Sequence, residues 1–167
     1  MTLLITSKIE GTSVVLSKRA QNRVIKSTLN SVAVHWDRRF LRLHFLQSAG
    51  ARYNYAFRSE ATKSKKIRLA ALGKVAKGGR VDLVHTGLTE RTVVRPHFVR
   101  ATPTKATVPM VTPSYISSRV RTKRINLFRE ITAIIPREEN TLQGVGDSTL
   151  EKQSKSEQQR NRYRHKA

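Results

Sequence analysis

The sequence predicts an α+β protein: a long N-terminal amphipathic helix packed on a small antiparallel sheet, with basic loops and an extended C-terminal tail. Three observations carry this. Apolar residues recur at steps of three to five from Leu16 to Leu43. Two apolar runs, Phe98 to Thr102 and Lys105 to Val111, flank a turn at Pro103-Thr104. From about Gly144 the composition turns polar and basic. The domain expectation is one α+β domain over residues 1–143, with 1–13 as an arm or strand, and a basic flexible tail over 144–167.

Residues 2–9 read as a short strand or ordered arm, and Gly11-Thr12-Ser13 breaks it. Thr12 or Ser13 can cap the helix that follows by accepting a bond from an early N–H. From Val14 to about Gln47 the residues Leu16, Ala20, Val24, Leu29, Val32, Trp36, Phe40 and Leu43 form one apolar stripe. Lys18, Arg19, Arg23, Lys26, Arg38, Arg39 and Arg42 mostly fall off it, giving a basic outer face. A helix this long invites a break at the weak helix formers Asn30-Ser31. Trp36 and Phe40 are expected in the core, with a base-stacking platform as the alternative. Gly50 supplies a left-handed helix cap, and His44 near that end suits the negative pole of the helix dipole.

Tyr53, Tyr55 and Phe57 alternate along an extended segment. Their rings either close the core or interleave with Arg52 and Arg58 at a phosphate-rich surface. A basic loop follows, with room for a short helix over Lys65 to Leu72. Leu88 to Val94 reads as a short helix capped by Thr86 or Thr89. Pro109 places the second of the two later strands at a sheet edge. Ile125 to Ile135 reads as a strand, with a helix as rival because Leu127, Ile131 and Ile134 fit that period too. Pro136-Arg137-Glu138-Glu139 resembles a helix first turn. Residues 151–167 carry six Lys or Arg, two acids and one aromatic, Tyr163, too little apolar surface to order alone.

The formal net charge is +22 over 167 residues. A surface that basic gathers polyanions: DNA or RNA first, then an acidic protein or an anionic membrane. Between Arg38 and Arg80 stand twelve Lys or Arg and one acid, Glu60. The candidate contacts with nucleic acid or an acidic partner are Arg52, Arg58, Lys63, Lys65, Lys66 and Arg68, then Lys74, Lys77 and Arg80. A second cluster is Arg119, Arg121, Lys123 and Arg124, and the tail adds Arg160, Arg162 and Arg164. There is no cysteine, which excludes disulfides and Cys-based zinc sites. No run approaches the ~18 apolar residues of a membrane span, and Met1 to Ile5 lacks the basic start of a signal peptide.

No constellation points to catalysis, and no cofactor or metal is expected. Asp82, His85 and Thr86 lie within five positions, a spacing that stabilises a turn more readily than it assembles a triad. His35 and His44, nine apart, fall on opposite sides of a helix. Asp37, Asp82 and Glu130 would have to be brought together by folding to hold a metal. Gly78-Gly79 lacks the surroundings of a phosphate loop.

The order of features carries more than any one of them. A basic amphipathic helix ends in Trp36, Phe40, His44 and Phe45. Gly50-Ala51-Arg52-Tyr53-Asn54-Tyr55 with Arg58 follows, and a basic linker leads to Leu83-Val84-His85-Thr86-Gly87-Leu88 with Arg91. Paired strands, Pro113-Ser114-Tyr115 and a late segment with Glu130 complete it. Over about residues 14 to 140 this resembles the tail-completion, or neck, proteins of tailed double-stranded DNA phages. Many members have proline before the Leu of the turn, where this chain has Asp82, and the basic tail lies outside the resemblance. The resemblance implies a structural virion protein of the head–tail junction. It would form a homo-oligomeric ring that meets a connector, tail terminator or tail tube and double-stranded DNA, with assembly in the host cytoplasm and no reaction catalysed. The alternative is a ribosomal or other ribonucleoprotein component, which also pairs a small core with basic extensions. A sequence-specific regulator fits poorly, because the cations are spread along the chain.

Overall fold

The computed structural model describes residues 2–5, 16–46, 48–55, 60–73, 88–111 and 127–164. It is α+β, mostly helical, with a long N-terminal helix and a small antiparallel sheet. The chain divides into two compact units, Thr2–Trp36 with Phe98–Pro109 and Arg137–Ala167, and Asp37–His97 with Met110–Pro136. Neither coincides with the expected segments 1–143 and 144–167.

The first of these units is built on helix α1, Lys18–His35. Ser17 caps it, its Oγ accepting the Ala20 N–H at 3.3 Å. The expected caps, Thr12 and Ser13, lie outside the described residues. Ala20, Val24, Thr28, Leu29 and Ala33 are buried along one face. A fully buried Leu such as Leu29 contributes roughly 1.5–3 kcal/mol. The helix does not break at Asn30-Ser31. It ends at Trp36, whose N–H is shared between the Ala33 and Val32 carbonyls.

Strands β1 (Thr2–Ile5), β2 (Arg100–Ala101) and β3 (Ala106–Pro109) form an antiparallel sheet in the order β1-β3-β2. Leu3 faces Val108 and Ile5 faces Ala106, while Arg100 faces Thr107. Ala106 and Val108 alternate inward and are fully buried, and β2 and β3 lie against α1. Thr102 closes the hairpin: its N–H donates to the Lys105 carbonyl at 2.8 Å, and its Oγ1 accepts from the Lys105 N–H at 3.2 Å. The expectation that Pro109 marks an edge strand needs correction, since β3 is central. Pro109 is tolerated because β2 reaches only as far as Thr107, so β3 has a single neighbour at that end.

The C-terminal helix departs most from expectation. Residues 144–164, expected as an extended flexible tail, continue a 29-residue helix, Pro136–Arg164. Proline at its start and Glu138 and Glu139 in its first turn favour initiation. Glu138, Leu142 and Glu157 are buried. Leu150 packs on Leu16, Ala20 and Val24. At Gly146 a Cβ would stand 3.5 Å from Val32 and 4.0 Å from Thr28. Rising numbers on this helix meet falling numbers on α1, so the two run in opposite directions. The polar helix is therefore held by packing along one side.

In the other unit the chain leaves α1 through a π turn, Trp36–Phe40, and a 3-10 turn, Leu41–Phe45. Phe40, Leu41, His44 and Phe45 are all buried. The wider π turn and the tighter 3-10 turn shift the direction of the buried face at this point of the chain. Helix α2, Ala49–Arg52, follows. Gly50 lies inside it, and the left-handed cap is Asn54, at φ 49°. The Tyr55 N–H returns to the Gly50 carbonyl at 3.0 Å, the long bond of a Schellman motif. Tyr53 and Tyr55 therefore bracket a tight turn rather than an extended strand; Phe57 lies outside the described residues. Helix α3 is Glu60–Ala71 and helix α4 is Leu88–Val93. Leu127–Ile131 is a short helix, α5, so the helical alternative holds there. The helix Pro136–Arg164 is α6.

Candidate nucleic-acid interface

Of the predicted contact residues, α3 gathers the largest described set. Lys63, Lys65 and Arg68 are exposed on it. Lys66 belongs to the same helix, though its side chain lies outside the described residues. Lys63 bonds Glu60 one turn earlier at 2.8 Å. Lys65 and Arg68 have no acidic partner among the described residues. At 3.6 residues per turn these positions spread around the helix. That suits attraction to a polyanion without a fixed register. Ile67 and Leu72 are also exposed, at 54% and 58%.

Arg52 is exposed at the end of α2, its guanidinium 5.6 Å from the centre of the Tyr53 ring. Below it is a cluster the sequence did not reveal. His44 stacks on Tyr53 with ring centres 3.9 Å apart and planes 16° from parallel. Its Nδ1 lies 2.6 Å from the Tyr55 hydroxyl. Burial pushes the His44 pKa down to about 4; the Glu130 backbone opposes this and the Arg52 charge reinforces it. His44 is therefore neutral at physiological pH. With its proton on Nε2, the Tyr55 hydroxyl donates to Nδ1. Tyr53 is 6% exposed, so the rings close the core, and of this block Arg52 faces solvent.

Arg160 is exposed on α6 and reaches Glu157 at 3.3 Å. Arg162 and Arg164 lie farther along that helix, their side chains outside the described residues. Arg58, Lys74, Lys77 and Arg80 lie outside them too, as does the whole cluster Arg119, Arg121, Lys123 and Arg124. Asp82, His85 and Thr86 are likewise outside them.

Sequence reasoning also missed a buried pair. Both Asp37 oxygens engage His97, Oδ1 with Nδ1 at 2.5 Å and Oδ2 with the backbone N–H at 3.3 Å. Each side chain is 5% exposed. The His97 Nε2 is buried with no partner among the described residues. The pair ties the start of this unit's first segment to its end. Its members are 60 residues apart, and no local pattern signals it. Among the described residues no three His, Asp or Glu side chains meet in a group that could hold a metal ion. No described helix is long and apolar enough to cross a membrane. Compared with known proteins, the chain matches no protein family, no curated sequence and no solved structure.

Proposed function

We propose that this chain is a structural, non-catalytic protein of the head–tail junction of a tailed double-stranded DNA phage. It would be a neck or tail-completion component that assembles as a ring and turns cationic surface toward DNA or acidic neighbours in the virion. The observation that carries this reading is the ordered series from Trp36 to Glu130: the aromatic-basic block, the Leu83 to Leu88 turn and the paired strands, in that succession. Two physical features support it. A net charge of +22, repeated around a ring, would create a strong attraction for a polyanion that depends on no base sequence. The 12-residue helix α3 is near the length at which an isolated helix is marginal in water, and its exposed face leaves surface for a partner.

The test is charge reversal on α3. Replacing Lys63, Lys65, Lys66 and Arg68 together by glutamate, of which Lys63, Lys65 and Arg68 are exposed, should impair particle assembly or DNA retention. Particles that assemble and hold DNA as before would contradict the role given to this helix.

A further inference from the structure

An open groove of about 470 Å³ lies between α1 and the chain entering β2, lined by Arg23, Lys26, Ser27, Asn30 and residues 98–101. The four α1 residues follow an i, i+3, i+4, i+7 pattern, which places them on one face. Phe98 stands 79% exposed at the groove, so its ring face is open to a ligand. Lys26 and Arg100 are exposed and have no acidic partner among the described residues. Arg23 is held by Glu157, with Nη2 to Oε2 at 2.6 Å and Nε to Oε1 at 3.2 Å. Glu157 also takes Arg160, so two guanidinium groups share one carboxylate and this corner stays net positive. β2 is the outer strand of the sheet.

We propose that this groove binds a nucleic-acid strand through an unpaired base stacked on Phe98, with phosphates on Lys26 and Arg100. Asn30 and Ser27 supply neutral hydrogen bonds, and Arg23, fixed by Glu157, forms the wall. The combination of an exposed ring, cations without an acidic partner among the described residues, and polar amide and hydroxyl groups matches single-strand binding, where an aromatic face takes bases and a cationic track takes the backbone. The carboxylates of an acidic peptide would satisfy the cations but would meet the negative face of the ring unfavourably. A duplex would satisfy the cations and keep its bases from Phe98. The proposal rests on the polyanion part of the function proposed above and is independent of ring assembly.

The experiment measures binding of the full, nuclease-treated chain to labelled oligo-dT, to oligo-U and to a duplex of matched length. The Phe98→Ala variant, altered at an exposed position, should bind both single strands at least about fivefold more weakly and the duplex unchanged. The Lys26→Gln/Arg100→Gln variant should lower the salt slope of log K for the single strands by about 1.4, from about 0.7 per phosphate. A larger loss on oligo-U or on oligo-dT supports the site and names its source as RNA or DNA. Equal loss on duplex and single strands in Phe98→Ala, or no change in either variant, overturns the groove while leaving the polyanion reading in place. Failure of the unaltered chain to bind any of the three overturns both.

Discussion

Protonation of His44 should destabilise the protein by an amount the structure sets. Its folded pKa is about 4 against an ordinary 6.5, chiefly because the ring is buried. Below pH 6.5 the unfolded chain takes up a proton on this ring and the folded chain does not. Stability from this group is therefore complete above pH 6.5 and is lost as pH falls toward 4. A difference of about 2.5 units at about 1.4 kcal/mol per unit gives roughly 3 kcal/mol. His44→Phe keeps an aromatic ring against Tyr53 but cannot titrate, and it loses the Tyr55 bond, about 1 kcal/mol. In urea denaturation followed by circular dichroism, the wild-type chain should be the more stable near neutral pH. The two stabilities should cross near about pH 6, with the variant ahead below it. The other carboxylates and histidines titrate in both chains and cancel in the difference. A difference that stays constant from neutral pH to about pH 4 would refute the argument, as would a His44 ring that titrates at its ordinary value by NMR.

Gly144 lies in the interior of α6 with no atom within 4 Å of where a Cβ would stand, so Gly144→Ala should raise stability by roughly 0.5–1 kcal/mol, read as a higher Tm. Gly73, at φ +65°, is the opposite case, and Gly73→Ala should cost about 1 kcal/mol; equal shifts in the two variants would contradict the helical assignment of residue 144. Glu157 is held below its ordinary 4.5, first by the hydrogen bond from Arg23. Its contribution is present above that value and fades as pH drops through the depressed one. Glu157→Gln should therefore lower Tm at neutral pH, with the gap to wild type closing in acid; an unchanged neutral Tm would mean that α1 and α6 do not depend on this pair.

What could be read from the sequence was whatever is local. The α1 stripe, the turn at Pro103-Thr104 and the start of α6 at Pro136 are each written in a short window of residues. The π turn at Trp36 was not, because no glycine, proline or other break residue marks it. Gly50 drew the cap assignment through its permissive backbone, yet Asn54 also tolerates the left-handed region and takes that place. The length of α6 was hidden because its sequence is mostly polar, with Leu142 buried and Leu150 packed on α1 as its large apolar anchors among the described side chains. Its hold on α1 depends on Gly146 and on an ion pair spanning 134 residues. The candidate interface was legible as charge alone. The sequence reads as a basic loop with room for a helix only over Lys65 to Leu72, so the helix that carries Lys63 with Lys65 and Arg68, Glu60–Ala71, starts earlier than expected. The meeting of Lys26, Arg100 and an exposed Phe98 could not be anticipated, since it requires α1 and β2 to be neighbours.

The most direct test of the proposed role is the mass of the nuclease-treated chain by light scattering, with negative-stain imaging, at low and high salt. Closed rings of the chain alone that persist in high salt are expected, because protein contacts rather than bound polyanion would hold them. A monomer under all these conditions, with nucleic-acid affinity falling by about three to five decades between about 50 and 200 mM salt, would contradict that role and favour a ribonucleoprotein component instead.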